Sequence, residues 1–137
     1  MNRFASTLST LSILASLASC SSSDPPAKGS APTIRDLKAT PTTVPVGKAT
    51  TVNMQFAFED ADADVNDAKV EVARADGTKQ TVQAGGSAGQ ASGNKAGQMA
   101  LLLALQPPAP EKLTVNVWVV DQRGNESNRL PVIIDVQ

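Results

Sequence analysis

Leu113-Thr114-Val115-Asn116-Val117-Trp118-Val119-Val120 decides the fold. Leu113, Val115, Val117 and Val119 alternate with Thr114, Asn116 and Trp118. That period of two puts successive side chains on opposite faces of a strand, and one face here is built for a core. The same period recurs outward from this segment. Downstream, Leu130 to Val136 carries Val132, Ile134 and Val136 on one side. Upstream, Val52, Met54, Phe56 and Phe58 alternate with Asn53, Gln55 and Ala57, and Ala68, Val70 and Val72 alternate with Lys69, Glu71 and Ala73. Ala75-Asp76-Gly77-Thr78 supplies the Asp-Gly turn of a hairpin whose return strand is Lys79 to Gln83. Met99 to Leu105 is a short apolar run ended by Pro107-Pro108-Ala109-Pro110, and its place between a Gly-rich stretch and a Pro cluster favours a strand over a helical turn. Thr33 to Ala39 reads as a first strand, broken by Pro41 and Pro45. Seven short strands with turn signals between them predict an all-β chain, a single seven-stranded antiparallel β-sandwich over residues 33–137.

The N-terminus has a different grammar. Met1, Asn2 and the cation Arg3 precede a short apolar run, and Leu17-Ala18-Ser19-Cys20 follows it. A positive start, an apolar middle and small residues at the cut are the anatomy of a secretory signal peptide. With cysteine as the first mature residue, the segment resembles the signal peptide and lipobox of bacterial lipoproteins, and all four lipobox positions match. The resemblance implies cleavage after residue 19, lipidation of Cys20 and attachment to a membrane through acyl chains, two or three of which hold firmly. The apolar run is too short and too rich in Ser and Thr to span a bilayer. Ser21 rather than Asp after the cysteine implies the outer membrane under the enteric sorting rule. Residues 21–32 are dominated by Ser, Pro and Gly and read, with Cys20, as a disordered tether. The expected organisation is therefore a signal peptide at 1–19, lipidated Cys20 and tether at 20–32, and one domain at 33–137.

Composition narrows the function. The whole chain has a formal net charge of −1, and losing Arg3 with the signal makes the remainder more negative. Nucleic acid demands a dense cationic surface, so it is excluded as a partner. There is no His and a single Cys, so no triad, no free thiol once Cys20 is lipidated and no disulfide. Paired carboxylates can act as acid and base, but glycosidase-like sites need a walled cleft, and aromatics make up only 3% of the chain. The expectation is a protein that is not an enzyme.

Two stretches carry a further resemblance. Leu113 to Val120, followed by Asp121-Gln122-Arg123-Gly124-Asn125-Glu126-Ser127, resembles the penultimate strand and turn of bacterial Ig-like, fibronectin type III-like and PKD-like domains. Phe56-Ala57-Phe58-Glu59-Asp60-Ala61-Asp62-Ala63-Asp64 resembles their second strand running into an acidic loop. The inter-sheet cysteine pair and the tyrosine corner of antibody domains are absent. The resemblance implies an Ig-like fold.

The acidic loop is the candidate for chemistry. Glu59, Asp60, Asp62, Asp64, Asp67 and Glu71 are six of the 13 acidic residues of the chain. Crowded carboxylates repel unless water or a cation neutralises them. Hard oxygen ligands suit Ca²⁺. The spacing of Asp60, Asp62, Asp64 and Glu71 matches an EF-hand loop, but Val65 stands where that loop requires Gly, so an EF-hand is rejected and the ligand chemistry kept. In a sandwich of this type the loop after the second strand and the loop before the last share a pole. Asp60, Asp62, Asp64, Asp67, Asp121 and Asn125 are thus the candidate Ca²⁺ ligands, against the plainer reading of a solvated acidic loop in which Asp side chains bond nearby amides.

Gly85 to Gly97 is glycine-rich with no aromatic anchor and reads as a disordered loop at the same pole. Arg123-Gly124-Asn125 is read as a turn only. Trp118 faces away from the apolar set of its own strand and is either an exposed contact point or, in the opposite register, core; partial burial against neighbouring side chains is expected. The chain is expected to be a lipid-anchored bacterial envelope lipoprotein whose Ig-like domain is a non-catalytic binding or structural module. The expected partners are the membrane, through the lipid on Cys20, and an envelope protein or glycan. The alternative is a Ca²⁺-stabilised adhesion or carbohydrate-recognition module, and no other cofactor is implied.

Overall fold

The alternation in Leu113–Val119 is realised in full. Leu113, Val115, Val117 and Val119 are buried, and Thr114 and Asn116 lie on the far face. In the computed structural model, which describes residues 29–137 apart from 83 and 87, this strand is the centre of the larger of two sheets. The strands in chain order are β1 (Thr33–Thr40), β2 (Thr43–Val44), β3 (Thr50–Glu59), β4 (Val65–Ala73), β5 (Lys79–Val82), β6 (Gly85–Gly86), β7 (Ala96–Leu105), β8 (Glu111–Asp121) and β9 (Leu130–Val136). One sheet has the order β1-β3-β7-β6, the other β2-β9-β8-β4-β5. These are the A-B-E-D and G-F-C orders of the immunoglobulin sandwich, with β5 added beside the C position. The chain is an all-β Ig-like sandwich.

Two details correct the expected seven antiparallel strands. The described residues form nine strands, because β2 and β6 are additional two-residue strands. The β2–β9 pair is parallel, with Thr43 opposite Asp135 and Val44 opposite Val136. Pro41 and Pro45 have no amide to give a ladder, so the chain leaves the first sheet after Thr40 and joins the second for two residues. The core lies between the sheets, where Val52, Met54, Phe56 and Phe58 of β3 and Met99, Leu101 and Leu103 of β7 meet Val70, Val115, Val117, Ile134 and Val136. The Asp-Gly turn is also as read: Gly77 has φ +86°, and the Thr78 amide donates to Asp76 Oδ1 at 2.8 Å.

The Gly-rich stretch is not a structureless loop. It supplies β6, a single helical turn α1 (Ala88–Ala91) and the start of β7 at Ala96. Ala91 is only 3% exposed and belongs to the core, where α1 packs on both β4 and β7 and closes the gap between the sheets. Long-range packing orders this segment. Gly93 N–H donates to the Ala63 carbonyl at 2.7 Å, and Asp60 N–H donates to the Lys95 carbonyl at 2.7 Å. Gly97 stands opposite Phe58 in the β3–β7 ladder, and a Cβ there would sit 2.9 Å from the Phe58 ring. Among the described residues no helix is long and apolar enough to cross a membrane.

Candidate functional site

The loop leaving β3 is built around one carboxylate. Asp60 is 2% exposed. Its Oδ1 accepts the Asp62 amide at 3.2 Å and its Oδ2 accepts the Asp64 amide at 2.8 Å. Ala63, at φ +58°, completes the tight turn with a bond from its amide to the Asp60 carbonyl. Asp60 therefore shapes the loop in the way Asp side chains favour, bonding amides two and four residues on.

Asp121 does the same at the end of β8. Its Oδ1 accepts the Arg123 and Asn125 amides at 2.8 and 2.7 Å, and its Oδ2 accepts Asn125 Nδ2 at 2.6 Å. Burial disfavours the charge of Asp121, but the bonds from Asn125 and from the Arg123 and Gly124 amides outweigh it and hold the pKa below the ordinary 3.8. Asn125 is engaged twice, because its Nδ2 also lies 3.4 Å from the Gly29 carbonyl.

Between these turns sit Asp62, Asp64 and Arg123. Arg123 Nη1 is 3.6 Å from Asp62 Oδ2 and its Nε is 3.5 Å from Asp64 Oδ2. Ser30 donates to Asp62 Oδ2 from its amide at 2.7 Å and from its hydroxyl at 3.3 Å. Asp64 Oδ1 is buried with no hydrogen-bond partner. Burial, then the charges of Asp121 and Asp60, push the Asp64 pKa up, and Arg123 only partly offsets them. One oxygen from each of Asp60, Asp62 and Asp64 falls within a sphere of mutual distances under 4.8 Å, a spacing a metal ion can bridge. The two loops are joined directly, Gln122 N–H donating to the Asp64 carbonyl at 2.9 Å. The pole that sequence reasoning inferred is real.

Asp67 does not join it. It lies within β4 opposite Val120, past an irregularity in the ladder, and its Oδ1 accepts the adjacent Ala68 amide at 2.8 Å. Strand geometry also disperses the other expected acids. Glu59 pairs with Arg35 at 2.7 Å, and Glu71 accepts Asn116 Nδ2 at 3.2 Å on the outer face of β4. Asn125 reaches the pole but bonds Asp121 and Gly29. Cys20 lies outside the described residues. Arg123 and Ser30 were missed. Arg123 carried a signal, since crowded carboxylates favour a nearby cation and one stands two residues after Asp121. Ser30 carried none, because it belongs to a stretch read as a disordered tether; the contacts of Gly29 and Ser30, and the burial of Pro32, draw the last part of that stretch onto the domain.

Trp118 lies on the outer face of its sheet, yet it is 3% exposed. The Arg129 guanidinium stacks 3.9 Å from its ring centroid, and Arg129 in turn pairs with Glu126 at 3.2 Å. The β8–β9 connection thus covers the ring, and Trp118 is not an exposed contact point.

No protein-family profile matches the chain, and no curated protein matches it in sequence. Among solved structures, the PKD domain of an M14-like peptidase from a Thermoplasmatales archaeon is similar at 17% identity and a TM-score of 0.46, over 77% of this chain and 92% of that one. The CARDB domain of a Pyrococcus furiosus protein, in complex with di-metal ions, is similar at 16% identity and a TM-score of 0.41, over 77% of this chain and 87% of that one. The Pseudomonas fluorescens alkylpurine DNA glycosylase AlkC, bound to DNA containing an abasic site analog, is similar at 16% identity and a TM-score of 0.46, over 80% of this chain but 31% of that one. The assignment of the sandwich rests on this chain's own strand order.

Proposed function

We propose that the chain is a lipid-anchored envelope lipoprotein of the outer membrane whose Ig-like domain is a non-catalytic module that binds, or structurally supports, an envelope protein or glycan. The observation that carries the non-catalytic reading is how the polar groups of the acidic pole are used. Asp60 and Asp121 bond backbone amides and close turns, while Asp62 and Asp64 lie against Arg123. These are structural roles, and general acid–base work requires carboxyls that can reach a substrate. The lipobox supports the anchor. The test is fractionation of cells carrying the parent chain and Cys20→Ala. The parent is expected with membranes and the variant in the soluble fraction; a variant still bound to membrane overturns the anchor. Crosslinking in intact envelopes tests the module, which is expected to recover a partner.

A second reading has its own observation. Asp64 Oδ1 is buried without a partner beside two carboxylates close enough to share an ion. Ca²⁺ there would take over the neutralising role of Arg123 and make the domain a calcium-stabilised adhesion or carbohydrate-recognition module. Melting the protein with millimolar Ca²⁺ and again with chelator separates the two readings.

A further inference from the structure

The residues before β1 do more than connect. Gly29 lies between the side chains of Asp62 and Arg123, so closely that a Cβ would collide with Asp62 Oδ2 and Arg123 Nη1. Ser30 donates twice to Asp62 Oδ2, at 2.7 and 3.3 Å, and Asn125 Nδ2 approaches the Gly29 carbonyl at 3.4 Å. Pro32 is buried. The grip comes from two connections, one leaving β3 in the first sheet and one leaving β8 in the second. β1 is an edge strand of its sheet. The chain ahead of it is therefore drawn inward, to the place on the pole where the loops of both sheets meet. A chain hinged at Thr33 would leave the domain to pivot about one corner. One gripped at Gly29 and Ser30 pivots instead at the place where the loops of both sheets meet, with the acidic pole next to the pivot.

We propose that Gly29 and Ser30, held by Asp62, Arg123 and Asn125, form a clasp that sets the pole from which the N-terminal tether leaves the domain and so biases the direction in which the domain stands on it. The acidic pole faces the anchor and the pole bearing Pro107 and Ala109 faces away. Each part of the clasp has a reason. Glycine at 29 leaves room for two charged side chains to close over the backbone. Asp62 accepts from the tether while Arg123 offsets its charge. Hydrogen bonds to a charged acceptor are the stronger kind. Nine peptide steps separate Cys20 from Gly29 and span at most about 30 Å, so the acidic pole stays within that distance of the anchor. The ten residues of β3 span roughly 33 Å, which sets the opposite pole that much farther out. The grip is a property of the chain alone, and only the membrane side of the proposal rests on the lipid-anchor reading.

The test uses the full lipidated chain. Hydrogen exchange reads the grip directly. The Ser30 amide is expected to be protected in the parent and to exchange about tenfold faster or more in Asp62→Ala and in Gly29→Ala, with the strand amides unchanged. Exchange of Ser30 at the open-chain rate in the parent, or no change in either variant, overturns the clasp. Direction is read on phosphatidylethanolamine–phosphatidylglycerol vesicles carrying a headgroup acceptor dye, with a donor dye on Lys95→Cys at the acidic pole or Ala109→Cys at the other. Energy transfer is expected to be greater from position 95, with the difference narrowing in Gly29→Ala. Equal transfer from the two poles overturns the directional bias. A parent chain that does not associate with vesicles overturns the lipid anchor instead, and Ser30 exchange then judges the clasp by itself.

Discussion

The side-chain amide of Asn128 binds both backbone groups of Ile34, accepting its N–H at 2.8 Å and donating to its carbonyl at 2.9 Å. In a sheet those two groups would meet a neighbouring strand. Here a single side chain, 94 residues away in sequence, takes the place of that strand and ties the edge of one sheet to the β8–β9 connection of the other. It satisfies polar groups on an edge strand that would otherwise invite pairing with another chain.

Asn128→Ala removes both bonds and is expected to cost about 2–3 kcal/mol, lowering Tm by roughly 10 °C or more. Asn128→Asp keeps the acceptor but sets a carboxylate against the Ile34 carbonyl. Its loss should shrink as pH falls toward about 4 and the acid gains a proton to donate. Thermal melts by circular dichroism across pH check both. Equal stability of Asn128→Ala and the parent would remove the bridge from the account.

Asp121 and Asp64 are expected to respond in opposite directions. The pKa of Asp121 is held below 3.8, so its ionised form stabilises the fold above that pH, and the contribution is lost as pH falls through the folded value. Asp121→Ala should cost about 2–4 kcal/mol at neutral pH through the loss of its bonds to Arg123 and Asn125. The pKa of Asp64 is raised above 3.8, so its charge burdens the fold at neutral pH and the burden lifts as pH falls through that raised value. Asp64→Asn should therefore raise Tm at pH 7 and have a smaller effect near pH 4. Chemical denaturation of both variants across pH measures the two slopes.

Gly97→Ala is expected to destabilise by about 1–3 kcal/mol, because the new methyl meets the rigid, buried ring of Phe58 at 2.9 Å. Pairing it with Phe58→Leu should recover part of the loss, and a double-mutant cycle gives the coupling. Strict additivity of the two changes would show that the ring is not what glycine accommodates.

Calcium tests the acidic pole. At 100 times its dissociation constant a bound ion adds about 2.7 kcal/mol, roughly 10 °C for a domain of this size. Under the metal reading, the shift is abolished in Asp62→Ala and grows in Arg123→Gln, where the competing cation is gone. Coincident melts with and without chelator leave Arg123 as the pole's own counter-ion.

What could be read in advance follows the range of the interactions. The strands of Val115 and Phe56 and the turn at Gly77 are written locally, by a period of two and by an Asp-Gly pair. The meeting of the Asp60 loop with the Asp121 loop followed from topology. Ala91 was invisible, since an alanine among glycines gains its core position only when β4 and β7 leave a gap for it. Asn128 was invisible for the same reason, because its partner is an ordinary backbone at the other end of the chain. Asp67 is near the acidic loop in sequence but not in its cluster, because the start of β4 at Val65 puts it inside a strand.

The parallel run of β2 beside β9 also bears on force. Gly29 sits at one pole, and Gln137 is fastened at the other by bonds with Val44 and Val46 at 3.0 and 2.9 Å. Traction applied to those two residues pulls β1 and β2 one way and β9 the other, along the strands. The rungs at Thr42, Val44 and Val46 are then sheared together instead of being peeled singly. Pulled between Gly29 and Gln137, the sandwich would bear the load on several bonds at once.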